Sequence, residues 1–86
     1  MKIIKINAMW CPGCLISKNI WNEIETIYPN HEYINLDYDL DDEIVEKYKV
    51  GDILPVVIIE DNNKEIKRII GEKNKKEILK ELSDIL

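Results

Sequence analysis

The chain is short of cationic surface, of metal ligands and of long apolar runs, and each shortage closes off a class of function. Twelve basic against 17 acidic residues give a net charge of −5, which argues against a general nucleic-acid or anionic-membrane surface, because both need a basic patch. The lysines that do cluster, Lys73, Lys75 and Lys76, alternate with Glu72 and Glu77 and read as a solvated helix face. The longest apolar run, Ile53–Ile59, is too short to span a bilayer. Met1–Ile6 is too short and too often charged for a signal h-region, and no small-residue cleavage site follows it, so a soluble, cytoplasmic chain is expected. There is no internal repeat, low-complexity tract or linker. Eighty-six residues suffice for one core, and a single domain over residues 1–86 is expected.

Cysteine is scarce too, but the two that exist stand together in Trp10-Cys11-Pro12-Gly13-Cys14. In a reducing compartment such a pair is better suited to catalysis or metal binding than to a static staple. Residues i and i+3 at a helix start project from one side with Cα atoms roughly 5–6 Å apart, which suits a short disulfide. Free helix N–H groups and the positive end of the helix dipole favour a thiolate on the first cysteine. A structural zinc site would need two further ligands, and His31 is the one histidine. The acidic run Asp37, Asp39, Asp41, Asp42 and Glu43 invites a calcium reading. It lacks the loop glycine at the sixth position (Asp42) and the closing glutamate at the twelfth (Tyr48). Helix capping and a favourable dipole interaction explain it better.

Periodicity orders the elements. Lys2–Asn7 reads as an isoleucine-rich strand. From Pro12 to Tyr28 the residues Ile16, Ile20, Trp21, Ile24, Ile27 and Tyr28 follow helical spacing, with Pro12 in the first turn and Pro29-Asn30 as the stop. Glu32–Asp37 is a second strand, and Asp41-Asp42 opens a short helix with Ile44, Val45 and Tyr48. Ile53–Ile59 reads as a buried strand, Asp61-Asn62-Asn63-Lys64 as a turn and Glu65–Ile70 as the returning strand. After Gly71 a last amphipathic helix carries Ile78, Leu79, Leu82, Ile85 and Leu86. The order βαβ-α-ββα predicts an α/β fold, a four-stranded mixed sheet with helices on both faces.

The motif Trp10-Cys11-Pro12-Gly13-Cys14 after the first strand, Leu54-Pro55 before the third, Asn35-Leu36-Asp37 and Gly71 together make the chain resemble the thioredoxin/glutaredoxin superfamily over essentially its whole length. The resemblance implies a thioredoxin-like fold, a cis Leu54–Pro55 bond beside the cysteines, and a protein-disulfide oxidoreductase. In that reading the Cys11 thiolate attacks a substrate disulfide and Cys14 resolves the mixed disulfide. Cys11 is the exposed member of the pair and Cys14 the buried one. Pro12 and Gly13 shape the motif. Trp10, Leu54 and Pro55 form an apolar docking surface, although Trp10 could equally be a partly exposed cap on the core. The expected cofactor is none beyond the redox-active Cys11–Cys14 disulfide. The expected partners are disulfide-containing proteins and a thioredoxin-reductase-type flavoprotein or similar reductant, with no nucleic acid and no membrane, and the chain is expected to be a monomer.

Pro-Gly reverses the Gly-Pro order typical of thioredoxins. Ile69-Ile70-Gly71-Glu72-Lys73 lacks the paired glycines and following acid with which glutaredoxins grip glutathione, and no basic residue stands between Ile6 and Trp10. Dithiol exchange with protein disulfides is therefore favoured over a glutaredoxin-like use of glutathione. A zinc or iron–sulfur module built on the Cys-x-x-Cys pair is the more distant rival. Where thioredoxins carry a buried aspartate six residues before the first cysteine, this chain has Lys5, with Tyr33 at the place of that aspartate's lysine partner. The proton acceptor for Cys14 is thus unassigned. If Lys5 turns inward beneath the cysteines, its charge would modulate the thiolate; if it faces solvent, it would not.

Overall fold

In the computed structural model, which describes residues 1–86, a sheet is built in the order β2-β1-β3-β4. β1 (Lys2–Asn7) pairs in parallel with β2 (Glu32–Asp37) and antiparallel with β3 (Val56–Asp61), which pairs antiparallel with β4 (Lys64–Ile70). Helices α1 (Pro12–Ile27), α2 (Asp42–Lys47) and α3 (Lys75–Leu82) cover it. The mixed four-stranded sheet expected from the element order is therefore present, with helices on both faces.

Side-chain alternation along the two central strands divides the core. Ile3, Val57 and Ile59 pack with Ile69 from β4, Trp21 and Ile24 from α1, and Ile78 and Leu82 from α3. Ile4, Ile6, Val56 and Ile58 point the other way and meet Val45 of α2. Each fully buried isoleucine contributes about 1.5–3 kcal/mol, so the central strands carry most of the hydrophobic stabilisation.

The local signals work as physics predicts, with two shifts. Asn62 and Asn63 take positive φ (53° and 65°), the conformation a two-residue hairpin turn demands and asparagine tolerates. Asn74 caps α3 by accepting from the Glu77 N–H at 2.8 Å. The buried stripe of α1 is Cys14, Ser17, Trp21 and Ile24, whereas Ile16 and Ile27 face outward. The 3-4-3 spacing of that stripe is helical, but it runs through a serine and a cysteine that hydropathy does not flag. The third strand starts at Val56, not at Ile53: Pro55 has no N–H to give a ladder, and Ile53 lies on the surface. Arg68 of β4, held by Glu65 at 2.7 and 2.9 Å, donates to the Tyr48 carbonyl at 2.7 Å and so ties the end of α2 to the sheet. This fixes the start of the connection that leads to Leu54–Pro55. No helix is long and apolar enough to cross a membrane.

Candidate active site

Cys11 is the N-cap of α1, with extended backbone angles (φ −99°, ψ 109°) and Pro12 in the first helical turn. The Cys14 N–H donates to Cys11 Sγ at 3.2 Å, so the sulfur does what a capping serine or aspartate oxygen does elsewhere. An N–H bond and the helix dipole both favour negative charge on that sulfur. Cys14 is in the opposite situation. Burial pushes its thiol up to about 11; the hydrogen bond to Cys11 adds to the rise, and the Ala8 backbone works against it. Both are free thiols. Within one turn of helix the fold thus distinguishes a sulfur that accepts a backbone N–H from a sulfur that keeps its proton.

The expectation that Cys11 is exposed needs correction. Cys11 is 7% exposed and Cys14 3%, because Ala8, Tyr38 and Leu54 close around the pair. The order is the expected one, but the margin is small. Leu54–Pro55 is cis, as the resemblance implies, and Leu54 packs against the cysteines. The Pro55 carbonyl accepts from the Gly71 N–H at 2.8 Å. Gly71 adopts φ +86°, where a side chain would be strained. Trp10 is 60% exposed, edge-on to Tyr38 at 6.1 Å, and donates its indole N–H to Asp39 at 2.8 Å. It does not cap the core. Met9, Leu40 and Ile53 are exposed as well, whereas Leu54 is half-buried and Pro55 is buried, so of the three expected docking residues only Trp10 lies fully on the surface.

Lys5 does turn inward and is 5% exposed. It pairs with Glu25 in the last turn of α1 at 2.8 Å and lies over the Tyr33 ring at 5.5 Å. The groups that act on Cys14 are Cys11 and the Ala8 backbone. The ion-pair partner of Lys5 thus stands at the opposite end of the helix from the motif. Beside Cys14, on the β2 side of α1, a cavity of about 380 Å³ is lined by Asn7, Ala8, Lys18, Asp37 and Asp41 as well as by Cys14 itself. Asp37 and Asp41 are partly engaged in organising their own loop. Asp41 accepts from the Asp37 N–H at 2.8 Å, and Asp37 accepts from the Asp39 and Leu40 N–H groups at 2.9 Å. Asp41 makes no side-chain cap to α2, so its carboxylate reaches back into the loop, while Asp42 and Glu43 supply the acidic first turn. No group of three or more His, Cys, Asp or Glu side chains is placed to hold a metal ion, and His31 lies against the chain's amino group at 3.3 Å.

Glu72 was not legible as a site residue. The corner at Gly71 carries its side chain back to the motif, where a Cβ on Gly13 would lie 3.1 Å from Glu72 Oε2. Nothing in the local sequence of Glu72 signals this, because the approach depends on where β4 ends relative to the start of α1.

The family model described as Thioredoxin matches residues 1–84. The chain is 30% identical over 69 residues to thioredoxin H5 of Oryza sativa subsp. japonica, covering 80% of this chain and 50% of that protein. It is 31% identical over 80 residues to the bifunctional thioredoxin reductase/thioredoxin of Mycobacterium leprae, covering 92% of this chain and 17% of that protein. The chain thus spans half the length of the first relative and less of the second. Among solved structures, the crystal structure of thioredoxin from Trypanosoma brucei brucei superposes with a TM-score of 0.87 at 28% identity, covering 98% of this chain and 73% of that one. The dithiol at the start of α1, the cis-proline loop beside it and a family match that runs nearly end to end agree: the chain belongs to the thioredoxin family.

Proposed function

We propose that this chain, as a single 86-residue monomeric domain in the cytoplasm, reduces protein disulfides by dithiol exchange through Cys11 and Cys14. The observation that carries the reading is the asymmetry of the pair: Cys11 Sγ accepts the Cys14 N–H at 3.2 Å, while the Cys14 thiol is pushed up to about 11. An extended substrate segment docks on Trp10 and the half-buried Leu54, over the cis bond to the buried Pro55, with Pro12 and Gly13 holding the cysteines in register. The Cys11 thiolate bonds to one substrate sulfur, the substrate S–S bond breaks, and the other sulfur leaves as a thiolate. Cys14 then bonds to Cys11, the bond from Cys11 to the substrate breaks, and the second substrate sulfur departs as a thiolate that takes up a proton. The proton that Cys14 gives up passes into the adjoining cavity, where water beside Asp37 and Asp41 takes the part of the acid that Lys5 displaces. No cofactor is needed beyond the Cys11–Cys14 disulfide, which a flavoprotein reductase returns to the dithiol. The fusion of the two activities in the Mycobacterium leprae relative supports that partner.

Trapping tests the reading. Cys14→Ser should hold substrates as mixed disulfides on Cys11 and lose turnover with a reductase. Full turnover of Cys14→Ser with glutathione would replace the dithiol mechanism by a monothiol one.

A further inference from the structure

The reversed order Pro12-Gly13 has a structural partner. Glu72 lies along Gly13, with its Oε2 3.1 Å and its Cβ and Cδ 3.6 Å from the place a Cβ would take. In the Gly-Pro order, a proline ring would stand where Gly13 leaves room for this carboxylate. The position of Glu72 is set from behind: Gly71, at φ +86°, is tied to the Pro55 carbonyl at 2.8 Å. The carboxylate therefore sits where the cis-proline loop meets the first turn of α1. It has no salt-bridge partner; the ion pairs of the chain are Lys5–Glu25, Arg68–Glu65 and Lys75–Glu23. A second carboxylate, Asp39 in the connection from β2 to α2, accepts the Trp10 indole N–H at 2.8 Å. Lys73, next in sequence, is the nearest cation along the chain.

We propose that Glu72 is a specificity-determining residue: lodged against Gly13, its carboxylate favours attack by Cys11 on disulfides flanked by positive charge and disfavours anionic ones. This rests on Cys11 being the attacking thiol. The step is the exchange already written, in which Cys11 forms a bond to one sulfur, the S–S bond breaks and the other sulfur leaves as a thiolate. At low ionic strength, a charge on the incoming molecule taken to lie about 7 Å from the carboxylate in largely aqueous surroundings interacts with it by about RT. That separation changes the rate roughly three-fold for each sign, so the ratio of cationic to anionic rates changes about ten-fold.

The test uses three small disulfides: cystamine (doubly positive), bis(2-hydroxyethyl) disulfide (neutral) and 5,5′-dithiobis(2-nitrobenzoate) (doubly negative). Adduct formation is followed by intact mass on a Cys14→Ser background, so that only the first exchange is read. Relative to the parent, Glu72→Gln should lower the cystamine-to-nitrobenzoate rate ratio about ten-fold, and Glu72→Lys should lower it further. The neutral probe should stay within about two-fold, and high salt should shrink the parent's preference. Gly13→Ala, whose Cβ needs the room of the carboxylate, should move the ratio in the same direction. The rate with the neutral probe also shows that each variant is folded at the site. If all three probes react and the ratio is unchanged in both Glu72 variants, the inference falls and the proposed function stands. If none of the probes reacts with Cys11, both fall together.

Discussion

The first and last turns of α1 both lie over the sheet with reactive or charged groups inside, and the fold finishes them in opposite ways. At the last turn the charge is matched: Lys5, almost fully buried, meets Glu25 at 2.8 Å and the Tyr33 ring at 5.5 Å. Burial then raises the Tyr33 hydroxyl above its ordinary range, with Glu25 and Tyr28 adding to the rise, and that hydroxyl donates to the Tyr28 carbonyl at 2.6 Å. At the first turn no counter-charge is supplied. Cys11 receives one N–H, Cys14 keeps a proton, and the surface outside carries the exposed Trp10 with the carboxylates of Glu72 and Asp39 but no cation paired to the sulfurs. A buried charge that has its partner is structural, whereas a nucleophile that has only a dipole and a single N–H is left free to form its next bond with something else.

The comparison predicts where substitutions act. The largest effect is expected at the first turn: Cys11→Ser should reduce insulin-disulfide reduction to the uncatalysed background while the urea midpoint barely moves. Residual turnover above background would mean that Cys14 can attack a substrate on its own. Between the two ends, Trp21→Ala should cost about 3–5 kcal/mol in urea unfolding, since Trp21 fills the core cluster under α1. Activity per folded molecule should be retained there, and its loss would show that the first turn is not independent of the core beneath it.

A pH profile sharpens the contrast within the dithiol itself. The Cys14 proton is held up to about 11, so below that pH the reactive thiolate is a minor species. In the mixed disulfide Cys11 no longer adds to that rise and burial remains, so the release step should quicken about ten-fold per pH unit from neutrality and level off between the ordinary thiol range and about 11, since each unit multiplies the thiolate fraction by ten. Stopped-flow measurement of the second phase of substrate release checks this. A plateau below the ordinary thiol range would mean that the groups lining the cavity, Asp37 or Asp41, take the proton within the transition state.

How much of this was legible depends on the sequence distance over which each feature is decided. The strands, the caps and the Asn62-Asn63 turn follow from residues within a few positions, and the Cys-x-x-Cys pair is local by construction. Lys5 was legible as a departure from the family pattern, but its partner Glu25 lies 20 residues away. Only the packing of α1 on β1 decides whether such a lysine meets a carboxylate or a thiol. Ile16 fits the helical pattern and faces outward, because Cys14 and Ser17 hold places in the stripe that apolarity alone would not give them. The approach of Glu72 to Gly13 is the most remote of these features, since it joins the end of β4 to the start of α1.

The smallest effects belong to the ion pair, and their order is informative. Lys5 is the buried member, with its side chain 7% exposed against 32% for that of Glu25. Removing the carboxylate leaves a cation without a partner in the core, so Glu25→Gln should cost about 2–3 kcal/mol, below the value for a fully buried pair because water reaches the Glu25 side. Lys5→Met removes the desolvated charge, keeps most of the packing of the side-chain stem and leaves a carboxylate that water can solvate, so its cost should stay near or below about 1 kcal/mol. Urea unfolding of the two variants measures the order. Iodoacetamide alkylation of Cys11 in the same two proteins should proceed at the parent rate at every pH. If instead Lys5→Met slows alkylation at neutral pH, the charge at the last turn reaches the first, and the two ends of α1 are one electrostatic site.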